Sequence, residues 1–211
     1  GFNILYSVEN DKTTFETYEY NFPKTIHLKK SITKVSNNDI REKVDGIIGG
    51  PPCQSWSEAG AQRGINDPRG KLFFEYVRII SMKKPKFFLA ENVQGILFTK
   101  HSKSFNKIIK LFSGLGYDVK YQLLDAVNFS VPQNRKRIFI IGNNINSGIP
   151  IFTKTNKSPI SVKKAIDDLV GKEGLLPNHE PMKHTQSIIE RFSHTLQGES
   201  TREAMDRIPN I

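Results

Sequence analysis

Apolar positions fall into two alternating patterns along the chain. Short runs rich in β-formers occur at Ile4–Val8, Ile26–Leu28, Val44–Ile48, Phe87–Ala90, Tyr117–Ala126 and Arg137–Ile141, the last closed by Gly142. Compact apolar runs bounded by turn residues predict strands. Between them lie helical stripes. Lys71–Met82 repeats apolar residues at Leu72, Phe73, Tyr76, Val77, Ile79 and Ile80 and stops before Pro85, and Phe105–Leu115 stops at Gly114 and Gly116. Thr13–Tyr20 predicts a helix closed by Phe22-Pro23, and Asp39–Lys43 predicts a short polar one. Val162–Val170, Gln186–Phe192 and Ser200–Arg207 complete the helical stretches. Strands alternating with crossover helices predict an α/β layered sheet. Beyond Gly171 the alternation gives way to polar, proline-containing sequence, so a first domain over residues 1–170 and a separate segment over 171–211 are expected. Ser55–Gly70 is polar and glycine-containing, a long loop of the kind that is usually functional.

Composition narrows the class. The chain has 211 residues, 37% hydrophobic and 25% charged, which suits one packed domain with an appendage rather than disorder. No window reaches the roughly 18 uninterrupted apolar residues of a membrane span, and no leader precedes the first strand, so a cytoplasmic protein is expected. The start at Gly1 and the end at Ile211 read as cuts in something longer. Cys53 is the only cysteine, which excludes an internal disulfide and any Cys-pair metal site. His179 and His184 flank Pro181 and make a poor ligand pair, so no metal is assigned. Lys plus Arg number 31 against 21 Asp plus Glu, a net charge of +10, which points to a polyanionic partner such as nucleic acid.

In open α/β sheets ligands sit beyond the carboxyl ends of the strands. Three polar clusters fall at such ends: Glu9-Asn10, Pro51-Pro52-Cys53-Gln54 and Glu91-Asn92-Val93. Glu9 is placed to accept hydrogen bonds from ribose hydroxyls, or is a surface acid at a strand end. Neither a Gly-x-Gly-x-x-Gly turn nor a Walker loop is present to hold a phosphate. In Gly49-Gly50-Pro51-Pro52-Cys53 the prolines remove two backbone donors and fix two φ angles, leaving carbonyls free to accept from a base amine. The thiol beside them is a buried structural cysteine or a nucleophile; the polar flanks favour the nucleophile, which requires local positive charge. Glu91 follows an apolar strand, where desolvation would raise its pKa toward a proton donor; the alternative is a helix-starting acid held by amides. Arg135 and Arg137 lie two apart, so an extended chain puts both on one face, suited to phosphates or to an anion beside the thiolate, or merely to a solvated edge.

These clusters, in this order, resemble the cytosine-C5 DNA methyltransferase family in its bacterial restriction-modification style. Gly49-Gly50-Pro51-Pro52-Cys53-Gln54-Ser55-Trp56-Ser57 is similar to its catalytic motif, Glu91-Asn92-Val93 to its second, and Gln133-Asn134-Arg135-Lys136-Arg137 to its Gln-x-Arg-x-Arg motif. The resemblance covers Gly1–Leu169. It implies a Rossmann-like S-adenosylmethionine-dependent methyltransferase sheet with helices on both faces, incomplete at the N-terminus, and a truncated target-recognition region from residue 171. It implies that Cys53 attacks C6 of a cytosine flipped out of double-stranded DNA, that Glu91 contacts and protonates N3, and that Arg135 contacts the base. Gln54, Ser57, Arg135 and Arg137 would lie along DNA. Glu9, Asn10, Ile32, Pro52 and Leu72 would line the cofactor site, and Asn92 would order the active-site turn. The family's aromatic-Gly-x-Gly turn is absent ahead of Gly1, and Ser31 stands where members often carry an Asp for the adenine amine. The location implied is the bacterial cytoplasm, at the nucleoid; oligomeric state is left open. Three other readings remain: an RNA cytosine-C5 methyltransferase, a catalytically incompetent nucleic-acid-binding fragment, and a cysteine hydrolase.

Overall fold

The computed structural model describes residues 2–52, 72–144, 158–175, 180 and 182–208, and the chain divides into two compact units, Gly1–Ile160 and Ser161–Ile211. In the first, β1 (Tyr6–Glu9) and β2 (Ile26–Lys29) form a two-stranded parallel sheet. A second sheet holds β3 (Gly46–Gly49), β4 (Phe87–Val93), β5 (Asp118–Asp125) and β6 (Lys136–Asn143) in the order β3-β4-β6-β5. β3 and β4 are parallel, whereas β6 runs antiparallel to both β4 and β5. Among the described residues, the outer edges of β1 and β3 pair with no strand. The helices of this unit are α1 (Phe15–Asn21), α2 (Leu72–Lys83) and α3 (Ser102–Gly114).

α2 organises the core because its apolar stripe is wide enough to face two ways. Phe73, Tyr76, Val77 and Ile80 pack with Phe88 and Ala90 of β4, Ile138 and Ile140 of β6, and Phe105, Ile108 and Phe112 of α3. Ile79 joins a second cluster around Val35 and Ile40, against which Tyr6, Val8, Leu28, Ile32, Ile47 and Met82 pack. Alternation along β2 sends His27 to the face opposite Leu28, where its ring lies 5.1 Å from Phe15 and 4.9 Å from Tyr18 of α1. Helices thus cover both faces of the small sheet. In the second unit α4 (Val162–Ile166), α5 (Gln186–His194) and α6 (Thr201–Arg207) follow one another; Ser200 and Glu203 form a capping box at α6, which Arg207 ties to Glu199 at 2.8 Å.

The chain departs from the sequence expectations at four places. Asp39–Lys43 is not helical: the Asp39 carboxylate accepts from the backbone N–H and hydroxyl of Ser36, both at 2.8 Å, and from Lys30, so its polar groups close a turn instead. These donors hold the Asp39 carboxyl at a pKa of about 2. α4 ends at Ile166 and a 3-10 turn over Asp167–Leu169 replaces the rest of the expected helix. β4 does not stop at Ala90 but continues through Val93, because β6 supplies partners for Glu91, Asn92 and Val93. Gly142 does not end β6. It lies inside the strand, opposite Phe88, where a Cβ would come within 2.0 Å of the ring. Gly142→Ala therefore forces the buried Phe88 ring out of its stack on Phe112 (centroids 4.2 Å apart) and is expected to lower unfolding free energy by about 1–3 kcal/mol, read as a lower denaturation midpoint at unchanged m-value.

Candidate active site

β3 ends at Gly49 and feeds the Gly50-Pro51-Pro52 turn. Gly49 is required by close approach: a Cβ there would lie 2.6 Å from Cε2 of Tyr76. The Tyr76 hydroxyl sits between the strands, its proton shared by the carbonyls of Ile47 on β3 at 3.0 Å and Leu89 on β4 at 2.9 Å. Burial pushes this phenol well above its ordinary pKa, so it serves as a permanent donor. Two residues beyond those carbonyls stand Gly49 and Glu91, so one buried hydroxyl fixes the spacing of the strand ends.

The polar end of β4 is bonded to the turn. Asn92 is 1% exposed; its Nδ2 donates to the Pro51 carbonyl at 3.1 Å and its Oδ1 accepts from the Val93 N–H at 2.9 Å. Neither Pro51 nor Pro52 has an N–H, so this carbonyl contact is one of the few polar ties available to the turn. Asn92→Ala leaves that half-buried carbonyl without its donor and empties a side-chain site that is 1% exposed. The expected cost is about 1–3 kcal/mol by chemical denaturation. A methyl group at Gly50 would lie 3.5 Å from Oε2 of Glu91, so the turn and this carboxylate are neighbours.

The other oxygen of Glu91 is engaged. In the β4–β6 register Val93 faces Arg137, which places Arg137 diagonally across from Glu91 on the same face, and Nε of Arg137 reaches Oε1 of Glu91 at 3.1 Å. The pair is partly shielded, with side chains 24% and 36% exposed. Arg137 thus turns inward to the carboxylate. Arg135 lies ahead of β6, exposed; its backbone N–H donates to Asp125 Oδ1 at 3.0 Å and its carbonyl accepts from the Ala126 N–H at 3.1 Å. These bonds set the entry into β6 and leave the Arg135 guanidinium directed by neither.

The remaining candidates lie on the small sheet and on α2. Glu9 is the last residue of β1 and is exposed; its Oε1 accepts from the backbone N–H groups of Asn10 at 2.7 Å and Asp11 at 2.9 Å. One carboxylate oxygen is pinned by the chain and the other has no partner among the described residues. That is a pre-oriented acceptor of the kind a ribose diol needs, and it fits a nucleoside cofactor. Ile32 opens a 3-10 turn over Ile32–Lys34, capped by Ser31 and packed on the second cluster. Leu72 is the first residue of α2, and Pro52 is the exposed end of the turn. Cys53, Gln54 and Ser57 lie outside the described residues, as does the expected loop Ser55–Gly70. Among the described residues no group of three His, Cys, Asp or Glu side chains could hold a metal ion, and no helix is long and apolar enough to cross a membrane.

Three contacts were not legible in the sequence: the Tyr76 hydroxyl between the two strands, Arg78 with Glu75 on α2, and the pairing of Arg137 with Glu91, two residues that were each already a site candidate. Tyr76 reads as a core aromatic in a helical stripe, and only its hydroxyl distinguishes it. Glu75 and Arg78, three apart on α2, carry a faint signal as an i,i+3 ion pair. The antiparallel pairing that joins Arg137 to Glu91 has no local signature.

Comparison with known proteins bears on the whole chain. A family model described as C-5 cytosine-specific DNA methylase matches residues 1–208. The chain is 47% identical over 174 residues, 80% of its length, to the type II methyltransferase M.NgoPII of Neisseria gonorrhoeae, of which the match covers 51%. It is 46% identical over 210 residues, 95% of its length, to the type II methyltransferase M.FnuDI of Fusobacterium nucleatum, of which the match covers 59%. The chain thus spans between half and three-fifths of these relatives. Among solved structures, one described as a DNA modification methyltransferase encoded within an E. coli prophage superposes with a TM-score of 0.69 at 27% identity, covering 100% of this chain and 63% of the other. An α/β methyltransferase fold with a mixed sheet is thereby shared along the described chain. Motif order, strand topology and family match agree: the chain belongs to the C-5 cytosine-specific DNA methylase family.

Proposed function

We propose that residues 1–170 carry the catalytic part of a DNA cytosine-C5 methyltransferase of a restriction-modification system, acting at the nucleoid of a bacterial cytoplasm, and that residues 171–211 begin its target-reading region. The observation that supports this most is the tie between the turn and β4. The Pro51 carbonyl, two residues ahead of Cys53, is bonded to Asn92, the neighbour of Glu91, and Gly50 abuts Glu91 Oε2. A turn that leads directly to the nucleophile and is bonded beside the acid supports a reading in which a planar heterocycle lies between the two.

Cytosine is a weak electrophile. In this reading the Cys53 thiolate adds to C6 while a proton passes to N3 through Glu91 Oε2 and neutralises the charge that builds there. Arg137 holds Oε1, so the carboxyl presents Oε2 to the base rather than rotating away. Addition at C6 turns C5 into an enamine-like nucleophile. S-adenosylmethionine, when bound, would supply an electrophilic methyl group for that carbon, its sulfonium leaving as the neutral thioether. A base then removes the C5 proton, the C5–C6 double bond returns, the C6–sulfur bond breaks to release Cys53 as thiolate, and N3 gives its proton back to Glu91. Glu9 would accept from the ribose hydroxyls of the cofactor, with Asn10, Ile32, Pro52 and Leu72 around it. Gln54, Ser57 and Arg135 would contact DNA. C6 and C5 are out of reach inside a stacked duplex, so the target nucleotide must leave the helix.

Incubating the protein with double-stranded DNA and S-adenosylmethionine labelled in the methyl group tests this. Label recovered as 5-methyldeoxycytidine after nuclease digestion is the expected result. Label found only in 5-methylcytidine from an RNA substrate would replace the reading with an RNA enzyme. DNA binding without label transfer would leave a binding fragment.

A further inference from the structure

The side chain of Arg78 ties two distant parts of the chain together. It rises from the middle of α2 and crosses to the 3-10 turn at Ile32–Lys34. Nη2 donates to the Ile32 carbonyl at 2.8 Å and Nη1 to the Val35 carbonyl at 2.9 Å, across sequence separations of 46 and 43 residues. Nε donates to Glu75 Oε2 at 2.7 Å, one helical turn earlier. The guanidinium therefore has a carboxylate behind it and two carbonyls in front, and all three of its nitrogens are used. Its planar fork matches this arrangement, with one nitrogen aimed at each acceptor, whereas an ammonium would have to serve both carbonyls and the carboxylate from a single nitrogen.

The two carbonyls flank the 3-10 turn, one at its first residue and one at the residue that follows it. Within the turn, Ile32 O accepts the Val35 N–H at 3.2 Å, a long bond that leaves its second lone pair for Arg78. Placing a cation there also meets the negative end of the turn's dipole. The Ser31 hydroxyl, accepting from the Thr33 N–H at 3.3 Å, holds the opposite end. The apolar side of the turn rests on Val35, 2% exposed, beside Ile40 and Ile79. Position 32 is thus fixed from three directions. The amide end is held by Ser31, the core side by the second apolar cluster, and the carbonyl end by Arg78.

We infer that Arg78, aligned by Glu75, is a positioning residue for the cofactor: it sets the backbone at Ile32, and with it the wall that the cofactor's base meets, without touching the cofactor. The inference rests on the cofactor site proposed above. α2 then has three jobs along its length. Leu72 borders the cofactor site, Tyr76 spaces the strand ends, and Arg78 fixes the turn.

The test measures S-adenosylmethionine affinity and DNA affinity separately, by calorimetry and fluorescence anisotropy, in the wild type, Arg78→Lys, Arg78→Gln and Glu75→Gln, each checked by thermal melting. The expected result is a cofactor Kd raised about tenfold or more in both Arg78 variants and about threefold in Glu75→Gln, with DNA Kd unchanged. In the methylation assay the cofactor KM should rise while kcat at saturating cofactor stays within about twofold of wild type. A merely structural role would instead lower the melting temperature and weaken both ligands together. If the wild type binds S-adenosylmethionine and Arg78→Lys or Glu75→Gln, melting normally, binds it equally well, the inference is overturned and the cofactor site stands. If the wild type binds no S-adenosylmethionine, the cofactor reading fails and takes the inference with it.

Discussion

Cys53→Ser should eliminate methyl transfer, by about a thousandfold or more, while leaving DNA affinity within about threefold of wild type. The asymmetry follows from chemistry. A thiol with an ordinary pKa of ~8.5 is already partly ionised near neutrality, and nearby positive charge raises that fraction. A hydroxyl at the same place offers almost no alkoxide near neutral pH. Oxygen is also smaller and less polarizable than sulfur, so the substitution adds no bulk. In the proposed reading affinity for DNA rests mainly on phosphate contacts from a chain of net charge +10, and Cys53→Ser leaves that charge unchanged. A single-turnover assay at saturating DNA, paired with an anisotropy titration, separates the two effects. Retained turnover would remove the thiol from the reaction.

Glu91→Gln is expected to be nearly as severe, slowing the chemical step by about a hundred- to ten-thousandfold. The amide can still donate to N3 from its nitrogen, but it cannot transfer a proton as charge accumulates on the ring. The substitution also replaces the ion pair at 3.1 Å with a neutral contact to Arg137. Arg137→Ala separates these contributions. It keeps the carboxyl and removes what orients it, so a loss of about ten- to a hundredfold is expected, recovered in part by Arg137→Lys. A Glu91→Gln variant with wild-type single-turnover rate would exclude the acid role. An Arg137→Ala variant as damaged as Glu91→Gln would shift the main function from the acid to the guanidinium.

Strand and helix placement could be read from the chain wherever an apolar period was sustained. α2 and α3 are evident from their stripes, and β5 from its alternation. The sequence was misleading where a residue's partner is remote. Gly142 looks like a stop because glycine usually ends strands, yet here it makes room for Phe88 on the neighbouring strand. Glu91 and Asn92 look like the residues after a strand because they are polar, yet β6 extends the ladder past them. Asp39 looks like part of a helix, yet Ser36 and Lys30 satisfy it locally. The candidate site shows the same division. Motif order identified the Pro51-Pro52 turn, Glu91 and Arg137 as chemistry-bearing, and the geometry brings these together. What the sequence could not supply was the supporting frame, since Asn92 to Pro51, Tyr76 to two strands and Arg78 to Ile32 all span many residues.

The central claim is that a covalent bond forms between Cys53 and C6 of an extruded cytosine. Double-stranded DNA with 5-fluorocytosine at the target position, supplied with S-adenosylmethionine, measures it directly. Fluorine cannot leave C5 as a proton does, so the elimination that frees the enzyme is blocked. The expected result is a denaturation-resistant protein–DNA species, its mass that of both components plus one methyl group, mapped by peptide sequencing to Cys53 and missing in Cys53→Ser. No such species under conditions where unmodified DNA becomes methylated, or the same species in Cys53→Ser, would contradict it.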